Sequence, residues 1–224
     1  MKNRIKKLIP ISIKKFLYAR YLYKIKEENR AISEKIPKYC LKPEHVQHLK
    51  VLADRQELLK YLPQEGIVAE LGVDQGEYSA AIYKINKPKK FHLIDAWDSS
   101  RYNKQKQELV ETMFAEQLSR KDVEINLGLS TEIVHSFDDQ YFDWIYIDTD
   151  HSYKVTKEEL ELWGPKIKQG GVIAGHDFII GNWNEMKRYG VIEAVQEFCV
   201  NYNWELVYLT AEFHKAPSFA IKKT

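Results

Sequence analysis

One stretch restricts the fold of this chain more than any other. It is Val68-Ala69-Glu70-Leu71-Gly72-Val73-Asp74-Gln75-Gly76, followed by His92-Leu93-Ile94-Asp95. An apolar run breaks at an acid and then at two glycines, the pattern turns helical, and a second apolar run again ends in an acid. Parallel α/β sheets build nucleotide-type pockets in this way, at the carboxyl ends of their strands. Gly72 and Gly76 permit a sharp turn and a close ligand approach, and Asp95 stands where ribose hydroxyls can be bound. The spacing E-x-G-x-x-x-G lacks the three-glycine arrangement of the dinucleotide fingerprint G-x-G-x-x-G. A nucleoside fits it better than a dinucleotide.

The alternation continues along the chain. Apolar runs at 67–71, 91–94, 123–127, 142–147 and 172–174 read as strands, and 77–85, 102–119, 131–136 and 152–167 as the helices between them. A helix over 191–200 precedes two runs, 204–209 and 218–221, that end the chain as an antiparallel pair. Together these predict an α/β, doubly wound, mostly parallel, seven-stranded Rossmann-like sheet with an antiparallel C-terminal strand. Ser130 is available to cap the 131–136 helix. Trp163 reads as core, and Lys157, Glu158, Glu159 and Glu161 as the solvated side of its helix.

Residues 1–64 are expected to form a basic helical extension and 65–224 the catalytic domain. The net charge of +2 argues against a general nucleic-acid binder. Before Glu27, however, stand Lys2, Arg4, Lys6, Lys7, Lys14, Lys15, Arg20, Lys24 and Lys26, with no acid. Ile13, Phe16, Leu17, Arg20 and Tyr21 follow helical spacing, and Pro10 suits a first turn. Two readings are open for residues 1–26: an interfacial helix lying on anionic lipid, or a helix packed on the catalytic domain or on a second subunit of a homo-oligomer. Cys40 and Cys199 lack metal or disulfide spacing, as expected of a reduced, cytoplasmic protein, possible contact with the inner membrane face included.

Two further motifs follow in order: Ile147-Asp148-Thr149-Asp150-His151-Ser152-Tyr153 and Gly175-His176-Asp177. With them the chain, from roughly Glu65 to Thr224, resembles the class I S-adenosylmethionine (SAM)-dependent methyltransferases. It is especially similar to the small bacterial branch with I-D-x-D-H-S-Y and G-H-D motifs and to the metal-assisted sugar O-methyltransferases. The resemblance implies SAM as cofactor, bound by Glu70, Gly72, Gly76, Asp95 and Asp148, with Trp97 and Ser130 toward the adenosine. It also implies Asp148 and Asp177 as ligands of a divalent metal (Mg²⁺ or Mn²⁺) and His151 as general base. At His176 an acid is common in the metal-dependent members. An imidazole there, as a third ligand, suits Mn²⁺, Fe²⁺ or Zn²⁺ better than Mg²⁺. A metal-free mechanism, with His151 or His176 as base and Asp148 orienting it, stays open beside this.

Plainer duties are available to each residue: capping for Asp148, Asp150 and Asp177, a turn for Asp95, a bond to the glycine turn for Glu70, and burial for Trp97. A hydroxyl is a poor nucleophile at neutral pH and needs a base or a metal, and this sequence carries residues for both. The expected acceptor is a small hydroxyl-bearing molecule, a sugar or glycan end, lying over 178–189. There Trp183 and Tyr189 could stack, Asn182 and Asn184 bind hydroxyls, and Lys187 and Arg188 meet a phosphate. The alternatives are N-methylation of an aminosugar or phosphoramide, and a non-catalytic nucleoside-binding or membrane-associated protein.

Overall fold

The structure is a computed structural model that describes residues 10–212 and 214–223. Lys2, Arg4, Lys6 and Lys7 of the basic segment lie outside the described residues.

Four runs of buried residues make the centre of the sheet: β2 (Ile67–Leu71), β3 (Lys90–Asp95), β5 (Phe142–Ile147) and β6 (Ile167–Gly175). They are apolar on both faces because helices cover both. Alternate residues serve opposite cores. Val68, Leu93, Trp144 and Tyr146 pack with Leu58, Leu59, Ile82 and Phe114. Ala69, Ile94, Ile145 and Ile147 pack with Leu160, Trp163, Val195 and Phe198 on the other side.

With β1 (Lys50–Leu52), β4 (Val123–Leu127), β9 (Trp204–Thr210) and β10 (Phe219–Lys223), the order across the sheet is β1-β9-β10-β6-β5-β2-β3-β4. Only β10 runs against its neighbours, β6 and β9. The sheet therefore has eight strands rather than the expected seven. The addition is Lys50–Leu52, which pairs in parallel with Tyr208–Thr210. Three residues, two of them exposed, are too few to show a period. The sheet thus begins within the segment expected as an extension.

Helix bounds shift for local reasons. The helix read over 102–119 is two, α4 (Lys104–Met113) and α5 (Ala115–Ser119). It breaks at Phe114, whose buried ring packs edge-on to Tyr83 and Phe91. The helix read over 152–167 is α7 (Tyr153–Trp163), stopped before Gly164-Pro165 because proline cannot continue it. The short helix after β4 is α6 (Ser130–Ile133), and α8 (Val191–Tyr202) precedes β9. Ahead of the sheet run α1 (Ile11–Lys35) and α2 (Arg55–Tyr61), and α3 (Glu77–Asn86) follows β2. The loop expected over 178–189 contains a small hairpin, β7 (Gly181–Asn182) with β8 (Lys187–Arg188).

Candidate active site

Chain order reverses beside β2, which sits between β3 and β5. Such a switch point opens a crevice at the strand ends. Gly72 turns there with φ 87°. Its N–H donates to the Ile94 carbonyl at 2.9 Å, and the Asp148 N–H donates to the Leu71 carbonyl at 2.8 Å. A Cβ on Gly72 would stand 2.0 Å from the Asp148 carbonyl oxygen, so glycine is demanded by the close approach of β2 and β5. Gly76, at φ 82°, opens α3.

Asp95 organises this turn. Its Oδ2 accepts the N–H groups of Val73 (2.8 Å) and Asp74 (3.0 Å), and its Oδ1 accepts that of Trp97 (3.0 Å). A carboxylate has about four acceptor positions, so this half-buried one keeps capacity for ribose hydroxyls. Trp97 is buried and donates from Nε1 to the Asp74 carbonyl at 2.8 Å. Glu70 is buried and accepts the Ser79 hydroxyl rather than the turn backbone. Burial pushes its carboxyl up to about 8 against the Ser79 bond, and the Asp148 charge adds to the rise. Asp95→Ala is expected to weaken SAM binding about tenfold or more, the scale of losing hydrogen bonds to a charged acceptor. Titration calorimetry showing unchanged affinity would remove Asp95 from the cofactor site.

Next to the glycine turn, the ends of β5 and β6 bring Asp148, His151 and Asp177 together, their ligand atoms all within 4.8 Å of one another. His151 Nε2 lies 2.7 Å from Asp177 Oδ2 and 3.4 Å from Asp148 Oδ1. His176 flanks them, with Nδ1 3.7 Å from Asp148 Oδ2 and 3.6 Å from Asp177 Oδ2. Burial lowers the affinity of His151 for its proton, but the hydrogen bonds and charges of the two carboxylates outweigh this and raise it to about 9. The same contacts, against burial, hold Asp177 well below the usual carboxylate range. The Tyr189 ring lies over His151 with centroids 4.6 Å apart, and the Gly190 N–H donates to the His151 carbonyl at 2.8 Å. Asp148, Asp177 and one imidazole make a donor set of two carboxylates and a nitrogen that fits Mn²⁺, Fe²⁺ or Zn²⁺.

Other expected residues take other positions. Ser130 caps no helix; its hydroxyl bonds to Glu159, which also accepts Thr149 Oγ1 at 2.7 Å. Glu159 is therefore not on the solvated side of α7 but fully buried, its carboxyl pushed up to about 7 by that burial against these two bonds. Asp150 accepts the Ser152 N–H at 2.7 Å, the turn duty open to it. Trp183 is 91% exposed, between the two strands of the hairpin. Arg55 had no signal in the sequence beyond its place after the capping Asp54. Its guanidinium lies 4.5 Å from the Tyr78 ring centroid, where it interacts with Tyr146 and Asp148.

The family model described as a methyltransferase domain matches residues 69–178, which hold both the glycine turn and the histidine–carboxylate cluster. No curated relative matches the sequence. Among solved structures, the chain is similar to a SAM-dependent methyltransferase from Aquifex aeolicus, at 15% identity and a TM-score of 0.56 over 88% of this chain and 98% of that one. It is similar also to fibrillarin of Aeropyrum pernix with natively bound SAM, at 12% identity and a TM-score of 0.54 over 75% and 73%. Spermidine synthase from Thermotoga maritima matches at 16% identity and a TM-score of 0.54, over 76% of this chain. The chain spans 59% of that synthase's length. Residues 69–178 match the model of a methyltransferase domain, and the chain has the fold of the class I SAM-dependent methyltransferases.

Proposed function

We propose that this protein is a SAM-dependent methyltransferase acting on a hydroxyl of a small acceptor, a sugar or glycan end, with metal assistance. The observation that carries the reading is the placement of Asp148, His151 and Asp177 immediately beside the Gly72 turn. In this reading the turn, Asp95 and the Glu70 region hold SAM, which supplies an activated methyl group on a sulfonium. Asp148, Asp177 and His176 would hold a divalent cation, which supplies Lewis acidity for the acceptor hydroxyl.

The chain's own part is to orient the acceptor and take its proton. The contact of His151 Nε2 with Asp177 Oδ2 at 2.7 Å supports reading His151 as the base, oriented by that acid. At neutral pH its two carboxylates hold it as an imidazolium, so it becomes a base only where other positive charge satisfies those acids. That requirement favours metal assistance. The same two carboxylate contacts of His151 favour its protonated form and so support the second reading, N-methylation of an aminosugar or phosphoramide, since a neutral amine already carries its nucleophilic lone pair. Tyr189, on the ring of His151, narrows the space above it for the acceptor.

Titration calorimetry with SAM and its demethylated product, with EDTA and then with Mg²⁺ or Mn²⁺, tests the reading. Binding of both nucleosides is expected, with heat from the metal that Asp177→Asn abolishes. Absence of nucleoside binding overturns the methyltransferase reading; nucleoside binding without any metal heat overturns metal assistance and leaves the amine acceptor.

A further inference from the structure

The helix α1 spans 25 residues, none of them buried. At about 1.5 Å per residue it is roughly 37 Å long, yet it is held to the rest of the molecule near its C-terminal end. Asn29 Nδ2 donates to the Met186 carbonyl at 2.9 Å, Asn29 Oδ1 accepts the Arg188 N–H at 3.3 Å, and Arg188 Nε donates to Ser33 Oγ at 3.1 Å. The half before Glu27 is therefore a projecting rod. Phe16, Leu17, Tyr18, Tyr21 and Tyr23 are exposed along it. Interleaved with them are Lys14, Lys15, Arg20, Lys24 and Lys26, and no acid. No helix of the described residues is long and apolar enough to cross a membrane.

We propose that α1 docks on an anionic phospholipid surface, lying along it through Ile11–Lys26. Aromatic and aliphatic side chains beside cations that outnumber their acid partners match the boundary between acyl chains and anionic headgroups. A second copy of the helix is the poorer partner on charge. Pairing two such halves brings cation against cation, and two of the three acids of the other half are engaged within the helix: Glu34 with Arg30 at 2.9 Å and Glu28 with Lys24 at 3.6 Å. The attachment has a direction. The hairpin clamped by Asn29 and Ser33 runs directly into Tyr189, the residue lying over His151. A docked α1 therefore holds the hairpin beside the active-site mouth near the bilayer. The docking itself does not depend on the reaction proposed above, and SAM binding can fail without touching it.

The test is flotation of the full-length protein with phosphatidylcholine vesicles, with and without phosphatidylglycerol, for wild type and for a Lys14→Glu/Lys15→Glu/Arg20→Glu variant. None of the three side chains packs in a core, and an unchanged melting temperature of the variant shows that it is folded. Wild type is expected to float only with phosphatidylglycerol vesicles, less so as salt is raised, and the variant to remain at the bottom. Wild type failing to float with anionic vesicles overturns the proposal. Equal flotation of wild type and variant overturns its charge basis. A wild-type dimer in light scattering that the variant dissociates, without flotation, assigns α1 to a second copy instead.

Discussion

His151→Ala is expected to bind SAM with wild-type affinity and to lose turnover by about 10²–10⁴-fold, the usual contribution of a positioned acid–base group. The separation follows from geometry. The glycine turn is held by Asp95 and by the β2–β3 and β2–β5 backbone bonds, and His151 makes none of them. What the ring does contact is the Asp177 and Asp148 carboxylates and the Tyr189 ring. Removing it leaves two acids close together with less positive charge between them. Asp177→Asn should therefore also lower turnover while leaving His151 less basic, visible as an acid-shifted imidazole titration in NMR. Full activity of His151→Ala in a single-turnover assay would end its assignment as base, and a parallel loss of SAM affinity would make its role structural.

Gly72→Ala is expected to cost the fold on the order of 4 kcal/mol or more, among the largest effects of one substitution. Two costs combine. The left-handed backbone at φ 87° disfavours any Cβ by about 1–2 kcal/mol. The added carbon would also meet the Asp148 carbonyl oxygen at 2.0 Å, and that oxygen belongs to backbone that cannot rotate away. Gly76→Ala provides the comparison. Its φ is similarly positive, but the new carbon would meet a Val110 methyl at 3.2 Å, a milder contact and with a side chain rather than with backbone. Urea denaturation should rank Gly72→Ala far below Gly76→Ala. Similar midpoints would mean that backbone conformation, and not the approach of β2 to β5, sets the requirement.

The parts of the fold legible in the sequence were those with long, unmixed signals. β2, β4 and β5 occupy the residues read for them because strand-like segments, mostly apolar in β2 and β5 and alternating in β4, end there at glycine or acid. β1 was invisible because three edge residues pair with a strand 158 positions away, Lys50 with Tyr208, and no local pattern encodes that. Glu159 shows a second kind of limit. Within Lys157-Glu158-Glu159-Leu160-Glu161 it looks like its solvated neighbours, and only Ser130 and Thr149, brought from other elements, make its burial tolerable. In the site, Asp148, His151 and Asp177 were readable because each closes or follows a strand that lies beside the next. The Tyr189 ring on His151 and the Arg55 guanidinium near Asp148 come from distant segments, and their placement is a product of tertiary packing.

The floor of the crevice is stitched sideways. Gly128 to Asp95, Gly72 to Ile94, Asp148 to Leu71 and His176 to Ile147, backbone hydrogen bonds of 2.8–3.0 Å link the ends of five strands in one line. Each link joins parts of the chain that are far apart in sequence, and parallel pairing of that kind is slow to form because long loops must close first. Little of the site can thus exist in a partly folded chain. Cofactor affinity and the five linked central strands should emerge together during synthesis, only after β6 has left the ribosome, so that a nascent chain has no nucleoside pocket to fill before its central fold is committed.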